Sequence, residues 1–299
     1  MTPPLENPRG KGTIAFIVLS YVASLTASSV VYFTGGHNSK VSLIMGLAVM
    51  LTPALIAFLL GAFGIAAADD PGFQIFPLTF VLAGILAPVL VSHAALFTGT
   101  FFSLGKVPWS DWVRGGSDGL FHPPAELNFG DGLTATSLAI KFGFKLILGL
   151  GIVTFFALGE EIGWRGFLQP RLIQTAASPA RGIVFTALLW AGWHIPFAFS
   201  GIHYIPGVSN LQLATLMPVG IFGLGIFLGY LYLKTGSVWV VALAHGATNN
   251  WGQFIFRWFV DSDDKLNLTL IASQNAGLLL LGLFFLARII AKPPVPRES

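Results

Sequence analysis

The sequence predicts an all-α, polytopic membrane protein built as one bundle of about eight transmembrane helices. Three observations predict it. Only 10% of the 299 residues are charged and 54% are hydrophobic, whereas a typical soluble domain has about 25% charged residues. The mean hydropathy is +0.76. The apolar residues form runs of about 20, the length that crosses a hydrocarbon core of about 30 Å. Together these exclude an ordinary water-soluble enzyme and a disordered chain.

Charge and cysteine content exclude further classes of protein. The 16 basic and 13 acidic side chains give a formal net charge of +3, which is too small and too scattered for a nucleic-acid-binding surface. The sequence has no cysteine, so disulfides, thiolate catalysis, zinc–sulfur sites and iron–sulfur clusters are excluded. We therefore expect membrane lipid as a partner, and no nucleic acid.

Eight apolar runs are long enough to span a membrane. They lie at about 13–33, 41–65, 73–97, 136–158, 182–199, 213–233, 237–256 and 268–291. The first is too long for the apolar part of a signal peptide and has no small-residue cleavage site after it. The seventh carries His245 and Asn249, and such polar residues in a membrane helix usually face the interior of the bundle.

The spans divide the chain and suggest its orientation. We predict an N-terminal tail (1–12), N-terminal helices with a long loop (13–135), a helical core (136–256) and a last segment with the final helix and tail (257–299). The loop at 98–135, with Trp109 and Trp112, is either an extramembrane connection or a lid over a cavity. Eight spans place both termini on the same side of the membrane. Nine basic residues lie on that side and five on the other, so the positive-inside rule places the termini in the cytoplasm. The nine are Arg9, Lys11, Arg165, Arg171, Arg181, Lys234, Arg288, Lys292 and Arg297. We expect the membrane to be the plasma membrane.

The first of three polar motifs ends the fourth run, where Glu160 and Glu161 follow an apolar helix. Glu161 and Arg165 are four residues apart, share a helix face and can form an ion pair. Glu160 is rotated by about 100° from Glu161 and stays available. A partly desolvated carboxylate suits a general base near neutral pH. Alternatively, both glutamates only cap a helix end.

The other two motifs place histidines in apolar helices. His194 closes the fifth run, with Trp190 one turn earlier, and His245 lies four residues before Asn249. Taken singly, each motif is explained by hydrogen bonding inside the bundle. Taken together, a carboxylate and a histidine can activate water, and a second histidine with an amide can stabilise an oxyanion. The sequence has no cysteine and no nucleophile elbow, the turn between a strand and a helix that presents a G-x-S-x-G serine, so direct attack by water is the simplest mechanism.

The motif order resembles the CPBP family, the CAAX-processing and bacteriocin-processing (Abi) intramembrane proteases, also called type II CAAX prenyl endopeptidases. The matching motifs are Glu160-Glu161-x-x-x-Arg165, aromatic-x-x-x-His194 and His245-x-x-x-Asn249. The resemblance covers about residues 136–256. It implies an eight-helix bundle whose site is recessed in the membrane and reached from the cytoplasmic side. Trp190 stands where the family most often has phenylalanine.

The resemblance also implies a role for each matched residue. Glu160 is then the catalytic base, and His194 positions or activates the water. His245 and Asn249 form the oxyanion hole. The supporting residues are Glu161, Arg165 and Trp190.

The predicted function is that of an intramembrane endopeptidase acting on a membrane-associated peptide or protein, prenylated or not. A non-proteolytic bacteriocin-immunity or regulatory membrane scaffold is the alternative. A transporter with a glutamate–histidine proton relay is a third hypothesis. Many transporters consist of repeated halves with broken helices in matching positions, and the sequence shows none.

The resemblance suggests zinc as a possible cofactor, because members of the family are often labelled metalloproteases. Glu160, His194 and His245 could be three protein ligands of a catalytic zinc. The sequence contains no H-E-x-x-H motif, and water activation by glutamate and histidine needs no metal. We therefore favour a mechanism without a cofactor.

Overall fold

The computed structural model describes residues 8–66, 70–74, 77–101, 116–123, 129–259 and 264–291, which are chiefly helical. The helices are α1 (Pro8–Phe33), α2 (Lys40–Ala62), α3 (Leu78–Phe101), α4 (Ala135–Glu161), α5 (Gln169–Ala176), α6 (Pro179–Trp193), α7 (Ile195–Ser200), α8 (Asn210–Thr235), α9 (Val238–Phe259) and α10 (Asp264–Ala291). A π-helical segment, Ile162–Leu168, joins α4 to α5. The prediction of an all-α polytopic membrane protein is confirmed.

In the part of the chain that the structure describes, seven helical stretches are long and apolar enough to cross a membrane, and each corresponds to a predicted span. They are Gly10–Phe33, Lys40–Ala62, Leu78–Ala95, Ala135–Ala176, Pro179–Ser200, Asn210–Thr235 and Asn267–Ala291. Helix α9 corresponds to the predicted span at 237–256, which is not among these seven stretches, and it carries the polar residues His245, Asn249 and Asn250. His245 is nevertheless 2% exposed, so α9 buries this polar side chain within the bundle.

The predicted span at 182–199 is broken at His194. Helix α6 ends at Trp193 and α7 begins at Ile195. Pro196 lies in the first turn of α7, where its missing N–H costs no helical hydrogen bond. The third predicted span also differs, because its helix begins at Leu78 rather than at 73. The break places the His194 imidazole at a helix end inside the bundle.

The helices pack so that α9 lies against α4 and α3, while α8 lies against α10 and α6. A side chain at Gly223 would overlap the backbone of α10 at Leu278 and Leu279, so glycine allows close contact of these two helices. The largest fully buried side chains include Trp164, Trp190 and Trp193. This aromatic core surrounds the π-helical segment and the end of α6.

The structure corrects the count of basic residues used for orientation. Arg165 and Arg171 are 0% and 4% exposed, so neither is a loop charge, and the bias toward one face is smaller than the sequence suggested. Cytoplasmic termini, the plasma membrane and the domain boundaries stay predictions. Trp109, Trp112 and much of the connection 98–135 lie outside the described residues.

Candidate active site

The two neighbouring glutamates at the end of α4 face different partners. Glu160 and Glu161 are 2% and 0% exposed. The indole Nε1 of Trp190 donates a hydrogen bond to Oε2 of Glu160, at 2.7 Å. Glu161 instead forms the predicted ion pair with Arg165, whose Nη1 lies 3.0 Å from Oε1. The rotation of about 100° between adjacent helical residues separates the two carboxylates.

Glu161 also bonds to a residue on another helix. Its Oε1 lies 2.8 Å from Nδ1 of His245 on α9, whereas the sequence analysis paired Glu161 with Arg165 alone. The second oxygen, Oε2, is shielded and has no hydrogen-bond partner in the described part of the chain. Oε1 of Glu161 therefore bonds both to the guanidinium of Arg165 and to the imidazole of His245. These two bonds connect α9 to the π-helical segment.

The partners of His245 determine where its proton lies. An ionised carboxylate only accepts hydrogen bonds, so Nδ1 of His245 carries the hydrogen that bonds to Glu161. In the neutral ring Nε2 is then an acceptor, and it lies 3.1 Å from Nδ2 of Asn249. Gly246 allows this approach of α9 to α4, because an added Cβ would lie 2.9 Å from the Cα of Thr154. His245 thus orients Asn249 while Glu161 orients His245.

His194 is fixed at the end of α6. Its Nδ1 donates to the carbonyl of Trp190, at 2.8 Å, so Nε2 of the neutral ring is left as an acceptor. Helix α1 supports this end of α6, since Nε1 of Trp193 donates to the carbonyl of Ser20 (2.9 Å) and Oγ of Ser24 donates to the carbonyl of Trp193 (2.7 Å).

Trp190 connects the three motifs. Besides its bond to Glu160, its ring packs edge-on against His194 and against His245, with ring centroids 5.2 Å apart in both cases. The Arg165 guanidinium lies over its face, 4.2 Å from the ring centroid, in a cation–π arrangement. The structure therefore brings all seven residues singled out from the sequence into one network around a single indole.

One further histidine, His203, follows α7 and belongs to none of the three motifs. Its ring lies nearly parallel to that of His194, at 17° with centroids 5.9 Å apart. A single histidine in the connection between α7 and α8 belongs to none of the three motifs, so no local signal identifies it.

The described residues contain no group of three histidine, aspartate or glutamate side chains arranged to hold a metal ion. For the suggested zinc ligands, both ring nitrogens of His245 already have protein partners and one oxygen of Glu160 bonds to Trp190. The arrangement therefore does not fit a site built from Glu160, His194 and His245. The mechanism without a cofactor stays a prediction.

Part of the chain matches a known protein family. Residues 141–251 match the family model for type II CAAX prenyl endopeptidase, Rce1-like. All seven residues of the network lie within the matched segment. No curated protein matches the chain.

Proposed function

We propose that this chain is a member of the Rce1-like type II CAAX prenyl endopeptidase family, whose model matches residues 141–251, and that it hydrolyses a peptide bond with water activated by Glu160 and His194. The family is one of intramembrane CAAX-type endopeptidases. The observation that carries the proposal is the convergence of Glu160, His194 and His245 on the Trp190 ring. A carboxylate, an imidazole with a bare nitrogen and a second imidazole that holds an amide are thus all in contact with one buried indole.

The attacking water loses its first proton to Glu160. Oε2 of this carboxylate accepts from Trp190, and no described side chain bonds to Oε1, so Oε1 is the oxygen that takes the proton. The bare Nε2 of His194 accepts a hydrogen bond from the second hydrogen of the water and orients it. As the new C–O bond forms, the carbonyl π electrons move to the oxygen and generate an oxyanion.

Asn249 supplies the first donor to that oxyanion. Its Nδ2 carries two hydrogens, one of which bonds to Nε2 of His245, and the other is directed to the oxyanion. His245 contributes to the oxyanion hole by holding this amide in place, and Glu161 holds His245 in turn. When the C–N bond breaks, Glu160 passes its proton to the leaving amine nitrogen.

The test is peptide cleavage by the purified protein in lipid vesicles. The substrate is a synthetic peptide with a C-terminal CAAX sequence, with and without a prenyl group on its cysteine. Wild-type protein should release the C-terminal fragment, and Glu160→Gln should not, although glutamine can still accept from Trp190. An equally active Glu160→Gln variant would overturn the role of Glu160 as base. The two peptides show whether prenylation is required.

A second test identifies natural substrates. Membranes that contain wild-type protein or Glu160→Gln at matched abundance are compared by mass spectrometry of protein termini. New termini found only with the wild-type protein support proteolysis. Inactivity toward both peptides and no new termini, with both proteins folded, would contradict proteolysis and favour the scaffold alternative.

Two adjacent amides give a matched pair for the oxyanion role. Asn249→Ala removes the proposed donor, and loss of one such donor typically costs about 10²–10³ in kcat. Asn250 points elsewhere, since its Nδ2 donates to the carbonyl of Leu146, at 3.1 Å. Asn250→Ala should therefore keep most of the activity. Equal losses in the two variants would contradict the assignment of Asn249.

A further inference from the structure

The connection between α7 and α8 carries a histidine that none of the three motifs includes. The backbone N–H of His203 donates to the carbonyl of Phe197, at 3.1 Å. Its ring packs against Phe197, with centroids 5.5 Å apart, and nearly parallel to His194. The polypeptide therefore folds back so that a second imidazole lies beside His194.

The position of this connection is fixed by the N-terminal helices. Gly201 has φ +89°, and a Cβ there would lie 2.5 Å from the backbone nitrogen of His37, so glycine is required for the turn. Tyr204 stacks on His37, with ring centroids 3.6 Å apart at 6°. The contacts of Gly201 and Tyr204 with His37 therefore fix the backbone on both sides of His203.

The polar atoms of the two imidazoles are incompletely bonded. Nε2 of His203 is shielded from solvent and has no hydrogen-bond partner among the described residues, and Nε2 of His194 is the bare acceptor left by the bond to Trp190. A buried polar group without a partner costs about 1–3 kcal/mol. An apolar ring would fill the same space beside Phe197 without that cost, so packing alone does not explain a histidine here.

His203 remains neutral near pH 7. Burial disfavours the charged form and lowers the pKa of His203 from 6.5 to about 4. A neutral imidazole has one N–H and one bare nitrogen. It can therefore donate one hydrogen bond to a water molecule without placing a second positive charge next to the site.

We propose that His203 is a further positioning residue, whose Nε2–H donates to the oxygen of the water that His194 and Glu160 activate. This inference rests on the proposed function. With this bond the water accepts one hydrogen bond and donates two, to His194 and Glu160, and one lone pair remains for attack on the carbonyl carbon. His203 itself neither gains nor loses a proton in the step.

Three substitutions separate this role from packing. His203→Phe keeps a flat ring and removes both nitrogens. His203→Gln places an amide N–H near the position of Nε2, whereas the shorter side chain of His203→Asn reaches only the position of Nδ1. The measurements are kcat and KM for the CAAX-type peptide and the thermal unfolding midpoint in the same vesicles.

We expect His203→Phe to lower kcat by about tenfold or more, because a misplaced reactant costs up to about 10²-fold. KM should be nearly unchanged, and the unfolding midpoint should equal that of the wild type or exceed it, because the buried nitrogen without a partner is removed. His203→Gln should recover at least threefold in kcat over His203→Asn. Wild-type kcat in His203→Phe, or equal losses in the Gln and Asn variants, would overturn the inference. If His203→Phe does not fold, the comparison of Gln with Asn decides it.

Glu160→Gln in the same assay separates the two proposals. If Glu160→Gln is inactive and all His203 variants match the wild type, only the role of His203 fails. If Glu160→Gln cleaves as well as the wild type, or the wild type cleaves no peptide, the proposed function fails and this inference fails with it.

Discussion

Replacing Glu161 with glutamine tests the buried link between the helices. The substitution keeps the size of the side chain and removes its charge. Arg165 loses the carboxylate 3.0 Å from its Nη1, and His245 loses the charged acceptor 2.8 Å from its Nδ1. Both Arg165 and Glu161 are 0% exposed, so water cannot replace the lost charge.

The expected loss follows from two magnitudes. A neutral hydrogen bond between membrane helices contributes about 0.6 kcal/mol on average. Removing one member of a buried ion pair costs about 3–5 kcal/mol, because the other charge is left without compensation. Nε and Nη2 of Arg165 have no hydrogen-bond partner among the described residues, so no second carboxylate bonds directly to the guanidinium. We therefore expect Glu161→Gln to lower the free energy of unfolding by about 3–5 kcal/mol.

The assay is unfolding in mixed micelles at increasing mole fractions of a denaturing detergent, followed by tryptophan fluorescence. Glu160→Gln is the matched control, because Glu160 has no ion pair and its neutral replacement can keep the bond to Trp190. This control should lose about 1 kcal/mol or less. A loss below about 1 kcal/mol in Glu161→Gln, or equal losses in both variants, would refute the reasoning that Glu161 compensates a buried charge.

Two further predictions concern helix contact and pH. Gly246→Ala should lower the free energy of unfolding by about 1–3 kcal/mol, because the added Cβ overlaps Thr154. Gly143→Ala is the control and should be neutral or stabilising, because its added Cβ meets nothing within 4 Å. Equal unfolding midpoints in the two variants would contradict this. Hydrogen bonding to Asp131 raises the pKa of His122 above 6.5. The resulting stabilisation of the α3–α4 connection is fully present below pH 6.5 and is lost as the pH rises through the raised value. A histidine NMR titration should show a lower pKa in Asp131→Asn, and an unchanged pKa would contradict this cause.

The local parts of the fold and site could be predicted from the sequence. Long apolar runs predict spanning helices because the hydrocarbon core requires about 20 such residues. The pairs Glu161–Arg165, Trp190–His194 and His245–Asn249 each have members four residues apart, so a period of 3.6 residues places both on one helix face. The structure contains a contact within each pair.

Contacts between helices could not be predicted in the same way. Neither the bond between Glu161 and His245 nor the bond between Trp190 and Glu160 follows from spacing, since the partners are 84 and 30 residues apart. The break at His194 and the position of His203 beside it also depend on how the chain folds back.

The sequence by itself determined that this chain is a helical membrane protein, and it identified the three polar motifs. Tertiary structure alone decided which carboxylate bonds to which partner and placed the ring of His203 beside that of His194. The physical reason is that lipid solvates every apolar helix face about equally. Hydropathy therefore reveals which segments span the membrane, but the rotation and neighbours of each helix depend on packing and on interhelical hydrogen bonds.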